Sequence, residues 1–161
     1  MRGPQLAQFA RGEWWVNTCF EGVYPIDRLP TVVSGPCGLI INTDPADGEG
    51  EHWVSVYINS EGVGVFFDSF GLGPPSKLRD FLRQNTVSWY HNSIPLQSVV
   101  SSKCGYYCLY FLYKSVRGYS LPGLLTPFHP QKPYCNDSWV TNWYHRKRQK
   151  QRDSWMPVTM I

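Results

Sequence analysis

The sequence predicts a fold of the α+β class, and two stretches carry that expectation. His52-Trp-Val-Ser-Val-Tyr-Ile58 is rich in β-branched and aromatic residues, and Gly62-Val-Gly-Val-Phe-Phe-Asp68 follows it after Asn59-Ser-Glu, the pattern of a β-hairpin. Gly105 to Val116 is long and apolar with Lys114 as its single charge, the pattern of a buried helix beginning near Cys104. With 161 residues, 42% apolar and 16% aromatic, the chain has the material for one compact core, taken as a single domain over residues 1–161.

The remaining elements are read in chain order. Met1 to Gly12 carries Arg2 and Arg11 among polar residues instead of the apolar stretch of a signal peptide. No apolar run reaches the roughly 20 residues that span a bilayer. A soluble protein on the reducing side of a membrane, neither secreted nor membrane-bound, is therefore expected. Trp14 to Tyr24 and Ser34 to Asn42 are short apolar segments; Cys37-Gly-Leu-Ile-Ile-Asn42 fits a helix turn or a strand equally. Asp44 to Gly50 is an acidic, turn-rich loop. A hairpin folded about Ser60 sets residues whose numbers sum to about 120 opposite one another, give or take one residue, which would make His52 and Asp68 cross-strand neighbours with Cβ atoms about 5 Å apart. After the turn Gly71-Leu-Gly-Pro-Pro75, Leu78, Phe81 and Leu82 have helical spacing within Pro75 to Asn85, with Ser76 as candidate N-cap. Ser93-Ile-Pro-Leu-Gln97 reads as an edge strand, because Pro95 cannot donate to a central ladder.

Five cysteines (Cys19, Cys37, Cys104, Cys108, Cys135), odd in number and scattered, suit free thiols better than a disulfide framework. One reactive thiol among four buried ones is the expectation. Cys104 is the candidate nucleophile, since a helix N-terminus favours the thiolate. Gly105 lets backbone approach closely, the Cys104 amide can donate to an oxyanion, and Gln97 can supply a second donor. His52 is the candidate base and Asp68 the group that orients it. His91, His129 and His145 have no carboxylate placed beside them. No residue is assigned to a metal: Cys104 and Cys108 share a helix face, but paired Cys-x2-Cys spacings are missing. The net charge of +3 conceals a cluster, Arg146, Lys147, Arg148, Lys150 and Arg152, whose removal leaves 10 basic against 12 acidic residues, net −2. This basic segment, about 145–152, fits a nucleic-acid contact or a solvated helix face.

His52-Trp53, a strand ending at Asp68, then Gln97, then Cys104-Gly105 resembles the His-Trp, Asp/Glu, Gln, Cys-Gly order of adenain, the adenovirus maturation protease, and of its cousins the ubiquitin-like-protein-specific proteases. Phe20-Glu-Gly-Val-Tyr24, Ile40-Ile-Asn-Thr43, Phe67-Asp-Ser-Phe-Gly71 and Cys104-Gly-Tyr-Tyr-Cys-Leu-Tyr-Phe-Leu112 are similar as well, so the resemblance runs from Phe20 to Leu112. It implies a small mixed sheet packed on a central buried helix. It implies a cysteine endopeptidase of an adenovirus-like virus or related virus-like DNA transposon, cleaving viral capsid and core precursors near glycine during virion maturation, with Trp53 and Gly105 lining the substrate groove. No cofactor is needed for the chemistry, and stimulation by DNA and by a short viral peptide is implied. No cysteine lies between Cys37 and Cys104, so such a peptide would bind without a disulfide. The expected partners are viral precursor polypeptides and DNA, the expected state a monomer, and the expected location the virion and host nucleus. Two alternatives stand beside this reading: a protease that deconjugates a ubiquitin-like modifier, and a non-catalytic nucleic-acid-binding protein.

Overall fold

The computed structural model describes residues 1–154; residues 155–161 of the expected domain lie outside the described part. In chain order it contains α1 (Gly3–Gly12), α2 (Trp14–Asn17), β1 (Phe20–Pro25), β2 (Cys37–Asn42), β3 (Trp53–Ile58), β4 (Val63–Phe67), α3 (Ser76–Asn85), β5 (Ser88–His91), α4 (Cys104–Val116), α5 (Leu121–Leu125) and α6 (Pro133–Ser154). The strands form one mixed sheet in the order β1-β2-β3-β4-β5, parallel at β1/β2 and β4/β5 and antiparallel at β2/β3 and β3/β4.

Side chains alternate across a strand, and in the three central strands both faces are apolar. Leu39, Ile41, Val54, Val56, Ile58 and Phe66 enter one core, where Leu78, Phe81 and Leu82 of α3 cover them. Ile40 and Phe67 enter the other, which is built on α4. A sheet apolar on both faces has to be covered on both, so the layers are helix, sheet, helix. From Tyr107 to Tyr113 every residue of α4 is buried, which an all-round apolar helix requires. The sheet covers one side of it, and α1, α2, α5 and α6 pack against the rest.

The expected α+β fold with a small mixed sheet on a central helix is what the structure shows. Two local details differ, the α3 N-cap and the edge strand, and two that the sequence left open are decided. Cys37–Asn42 is a strand: it lies between β1 and β3 and is buried along its whole length, which is why an alternating pattern is absent from its sequence. The N-cap of α3 is Pro75, and Ser76 is already helical. Ser93–Gln97 is not a strand; the edge strand is Ser88–His91, paired parallel to β4, and the chain then turns away from the sheet. The polar-looking N-terminus folds as α1 because Leu6, Phe9 and Ala10, at i, i+3 and i+4, form a stripe that is buried on α4.

The hairpin forms, with its turn one residue later than expected. Ser55 pairs with Phe67 and Val56 with Phe66, which brings His52 level with Phe70 instead of Asp68. The imidazole stacks on the Phe70 ring, with centroids 4.8 Å apart. Asp68 is the diagonal neighbour on the same face, because the change is by two positions along the partner strand and not one.

Gly71 closes the turn after Asp68, its amide donating to the Asp68 carbonyl at 2.8 Å. Its φ is +72°, and a Cβ there would lie 2.7 Å from backbone atoms of Ile94 and Pro95. Gly71→Ala should therefore cost about 2 kcal/mol or more, combining left-handed strain with a backbone clash that has no side chain to yield. The loss should appear as a lower denaturation midpoint with unchanged m-value.

Candidate active site

The end of each element delivers one functional group to the same place. His52 directly precedes β3, Asp68 directly follows β4, and Cys104 is the first residue of α4. His52 Nε2 lies 2.7 Å from Asp68 Oδ1, and both side chains are largely buried. With Nε2–H donating to the carboxylate, Nδ1 is the ring nitrogen left to take a proton. Asp68 is itself held: the Phe70 amide donates to Oδ1 at 2.8 Å, the Asp68 amide donates to Asn92 Oδ1 at 3.0 Å, and Asn92 Nδ2 donates to the Asp68 carbonyl at 2.7 Å. Asn92 thus grips the backbone on both sides of the carboxylate.

Burial opposes charge on both partners, yet their mutual attraction wins. Burial pushes the Cys104 thiol up; the adjoining His52 and the nearby amides of Trp53 and Gly105 outweigh it, and the net result lies below the ordinary thiol value. Burial pulls His52 down; Asp68 and then Cys104 lift it to about 9. Each partner is thus shifted towards its charged form, and the two titrate as a pair. The other buried thiols have gone the opposite way: burial, followed by Glu21, raises Cys19 to about 11 and Cys37 to about 12, and burial, followed by Cys104, raises Cys108. Cys135 differs from the expectation of four buried thiols, being exposed on the first turn of α6.

No side chain caps α4 at Lys103; the Tyr106 and Tyr107 amides donate to the Lys103 carbonyl, which leaves those of Cys104 and Gly105 for other acceptors. Gln97 is buried, its Oε1 accepting from the Ser69 hydroxyl at 2.6 Å while Nε2 donates to the Ser101 carbonyl at 2.7 Å. One N–H of that amide is left for another acceptor. Gly105 is explained by close packing: a Cβ there would lie 3.1 Å from Leu6 Cδ2 and 3.5 Å from Trp53 Cδ1. Trp53 is half-buried against the core and donates from its indole nitrogen to the Met1 carbonyl at 2.9 Å. Ser69, Asn92 and Phe70 were not singled out in the sequence. Ser69 and Phe70 lie within the Phe67–Gly71 match and carried a signal; Asn92 reaches Asp68 across 24 positions and carried none.

The basic segment is separate from this constellation and is itself divided. Lys147 sits over the Tyr113 ring at 4.0 Å, and its ammonium donates to the Tyr113 hydroxyl. Arg148 donates to Gln8 Oε1 at 2.9 Å and to Gln151 Oε1 at 3.1 Å. Arg146, Lys150 and Arg152 are exposed.

No family model matches the chain. The SUMO-1 cysteine protease of African swine fever virus is 26% identical over 96 aligned residues, covering 50% of this chain and 35% of the viral protein, so the chain matches about a third of its relative's length. The fold is that of the African swine fever virus protease crystal structure, with a TM-score of 0.58 and 20% identity over 77% of this chain and 60% of that one. A weaker overlay, with a TM-score of 0.44 and 10% identity over 89% of this chain and 78% of that one, is found with the SUMO protease Ulp1 bearing a cysteine oxidised to sulfinic acid.

The pair makes a pH prediction with a definite sign. In a Cys135→Ser background, alkylation of Cys104 should rise with pH as the thiolate forms, starting below the range of an ordinary thiol. Hydrolytic activity should fall again around pH 9, where His52 loses its proton. Asp68→Asn removes the largest cause lifting His52, so the alkaline limb should move to lower pH; an unmoved limb would sever Asp68 from the histidine.

Proposed function

We propose that the chain is a cysteine peptidase in which Cys104 attacks the carbonyl carbon of a glycine residue. His52 takes the thiol proton through Nδ1 and later delivers it to the leaving amine, while Asp68 fixes the ring. The oxyanion is held by the Cys104 amide and the free N–H of the Gln97 carboxamide. The resulting thioester is then hydrolysed by water that His52 deprotonates. The observation that carries this reading is the opposition among the buried thiols: Cys104 alone is lowered, and it is the one beside the Asp68-held imidazole. Similarity to a viral cysteine protease over the matched region supports it.

Within that class, substrate is the open choice. The name of the viral relative, a SUMO-1 cysteine protease, favours removal of a ubiquitin-like modifier at its glycine tail over precursor cleavage of the adenain type. Both readings put glycine beside the scissile bond, so one thiol–imidazole pair suits either. A DNA contact of α6 would rest first on Arg146 and Lys150 and then on the exposed Arg152, which donates to Gln149 Oε1 at 2.6 Å, because Lys147 and Arg148 are engaged with other elements of the fold.

Cys104→Ala and His52→Ala should each reduce cleavage of glycine-containing peptides by orders of magnitude in a protein that stays folded. Gln97→Ala should cost about 3 kcal/mol of transition-state stabilisation, the scale of one lost oxyanion donor. To separate substrates, the wild-type protein is incubated with SUMO-1 carrying a C-terminal electrophile and, in parallel, with a glycine-containing peptide library. Labelling at Cys104 supports the deconjugating reading; peptide cleavage without labelling favours precursor processing. Failure of both removes the peptidase.

A further inference from the structure

Gln97 lies between β5 and α4 in a stretch that is neither helix nor strand. Regular secondary structure therefore does not fix its backbone; the Leu96 and Gln97 amides donate to the Ser69 carbonyl at 2.8 and 3.1 Å, and side chains from distant elements hold the peptide groups on either side. On the N-terminal side, the Leu96 carbonyl accepts from Asn136 Nδ2 at 3.0 Å, with the Tyr107 hydroxyl a weaker neighbour at 3.4 Å. On the C-terminal side, the Ser98 amide donates to Asp137 Oδ2 at 3.3 Å. Asp137 Oδ1 accepts from the Tyr107 hydroxyl at 2.8 Å. Asn136 is braced in turn by His129, whose amide donates to Oδ1 at 2.9 Å and whose carbonyl accepts from Nδ2 at 2.8 Å.

Asn136 is 2% exposed and Asp137 6% exposed. Burying a carboxylate costs several kcal/mol, and apolar packing would fill the same space without that cost. What the two polar side chains supply, and an apolar residue cannot, is a pair of directional bonds to the peptide groups flanking Gln97. Tyr107 adds a link to the nucleophile, because it lies three residues after Cys104 on the same helix. Burial and then Asp137 push its phenol up, so it stays a proton donor throughout the working range. The donor loop and the thiol are thereby tied to one rigid body.

We propose that Asn136, Asp137 and Tyr107 are positioning residues for Gln97, clamping the backbone on either side of it so that its carboxamide stays aimed at the oxyanion. The inference rests on the peptidase reading above. Asp137→Asn is the sharpest probe: the size is kept, but one acceptor oxygen remains where two are used. Its kcat for glycine-peptide hydrolysis should fall about tenfold, part of the 10²–10³ that loss of a whole oxyanion donor costs. KM and the rate of Cys104 alkylation should stay at wild-type values, since alkylation forms no oxyanion. In a Gln97→Ala background the same substitution should change kcat little, because the group being positioned is gone. Tyr107→Phe serves as the second variant and should show the same pattern. The proposal is overturned if kcat is unchanged, if the loss adds in full to that of Gln97→Ala, or if alkylation falls in parallel in both variants. A wild-type protein without hydrolytic activity would overturn the peptidase reading itself and this inference with it, whereas a Gln97→Ala variant as active as wild type would overturn the oxyanion role of Gln97, and with it this inference, while leaving the peptidase standing.

Discussion

Phe67 lies flat against Phe111, ring centroids 4.9 Å apart and planes 8° from parallel, with neither ring exposed to water. Phe67 is the last residue of β4, so Asp68 follows it immediately; Phe111 sits two turns along the helix that begins at Cys104. This contact fixes how far the carboxylate end of the hairpin lies from the thiol end of the helix. Burying a phenylalanine stabilises by about 1.5–3 kcal/mol, and a stacked pair adds about 0.5–1.5 kcal/mol beyond its area. The constellation thus inherits its geometry from the core: sheet and helix meet through large apolar side chains, and the polar groups stand at their ends.

The polar groups would not hold themselves in place. A thiolate, an imidazolium and a carboxylate partly out of water each lose hydration, and mutual pairing together with oriented amides is what offsets that loss. The structure supplies those amides cheaply. The uncapped start of α4 offers its own, Trp53 offers one from the adjoining strand, and Phe70 offers one to Asp68. Each exists because a chain element begins or ends there, where backbone donors lack regular partners.

Much of this was legible from residues. The hairpin and the buried helix follow from local pattern, because alternation and apolar runs are local properties, and the order of His52, Asp68, Gln97 and Cys104 is legible through its resemblance to adenain and the ubiquitin-like-protein-specific proteases. What pattern does not reach is register and remote polar contact. Shifting the hairpin turn by one residue leaves the same residues on the same faces, so hydrophobic alternation cannot distinguish the two registers. The diagonal His52–Asp68 approach and the Phe70 stack are settled instead by the turn itself. Asn92, Asn136 and Asp137 were silent for another reason: each acts on backbone far away in the chain, and a lone Asn or Asp in a polar stretch looks the same whether it is solvated or buried.

The basic helix shows a role that composition does not reveal. Five cations within seven residues fit a nucleic-acid contact or a solvated helix face. In the structure its two ends also hold opposite flanks of the site. Near its start, Asn136 and Asp137 reach the Gln97 loop. Towards its end, Arg148 bonds to Gln8, and Gln151 donates to the Phe9 carbonyl and Glu13, which anchors α1. α1 in turn places Leu6 against Gly105, the residue after the thiol. One long helix therefore braces both the oxyanion side and the nucleophile side, and two of its five clustered cations are used in that bracing. Charge density read along a chain counts such residues as free; only the packing reveals which of them are already engaged.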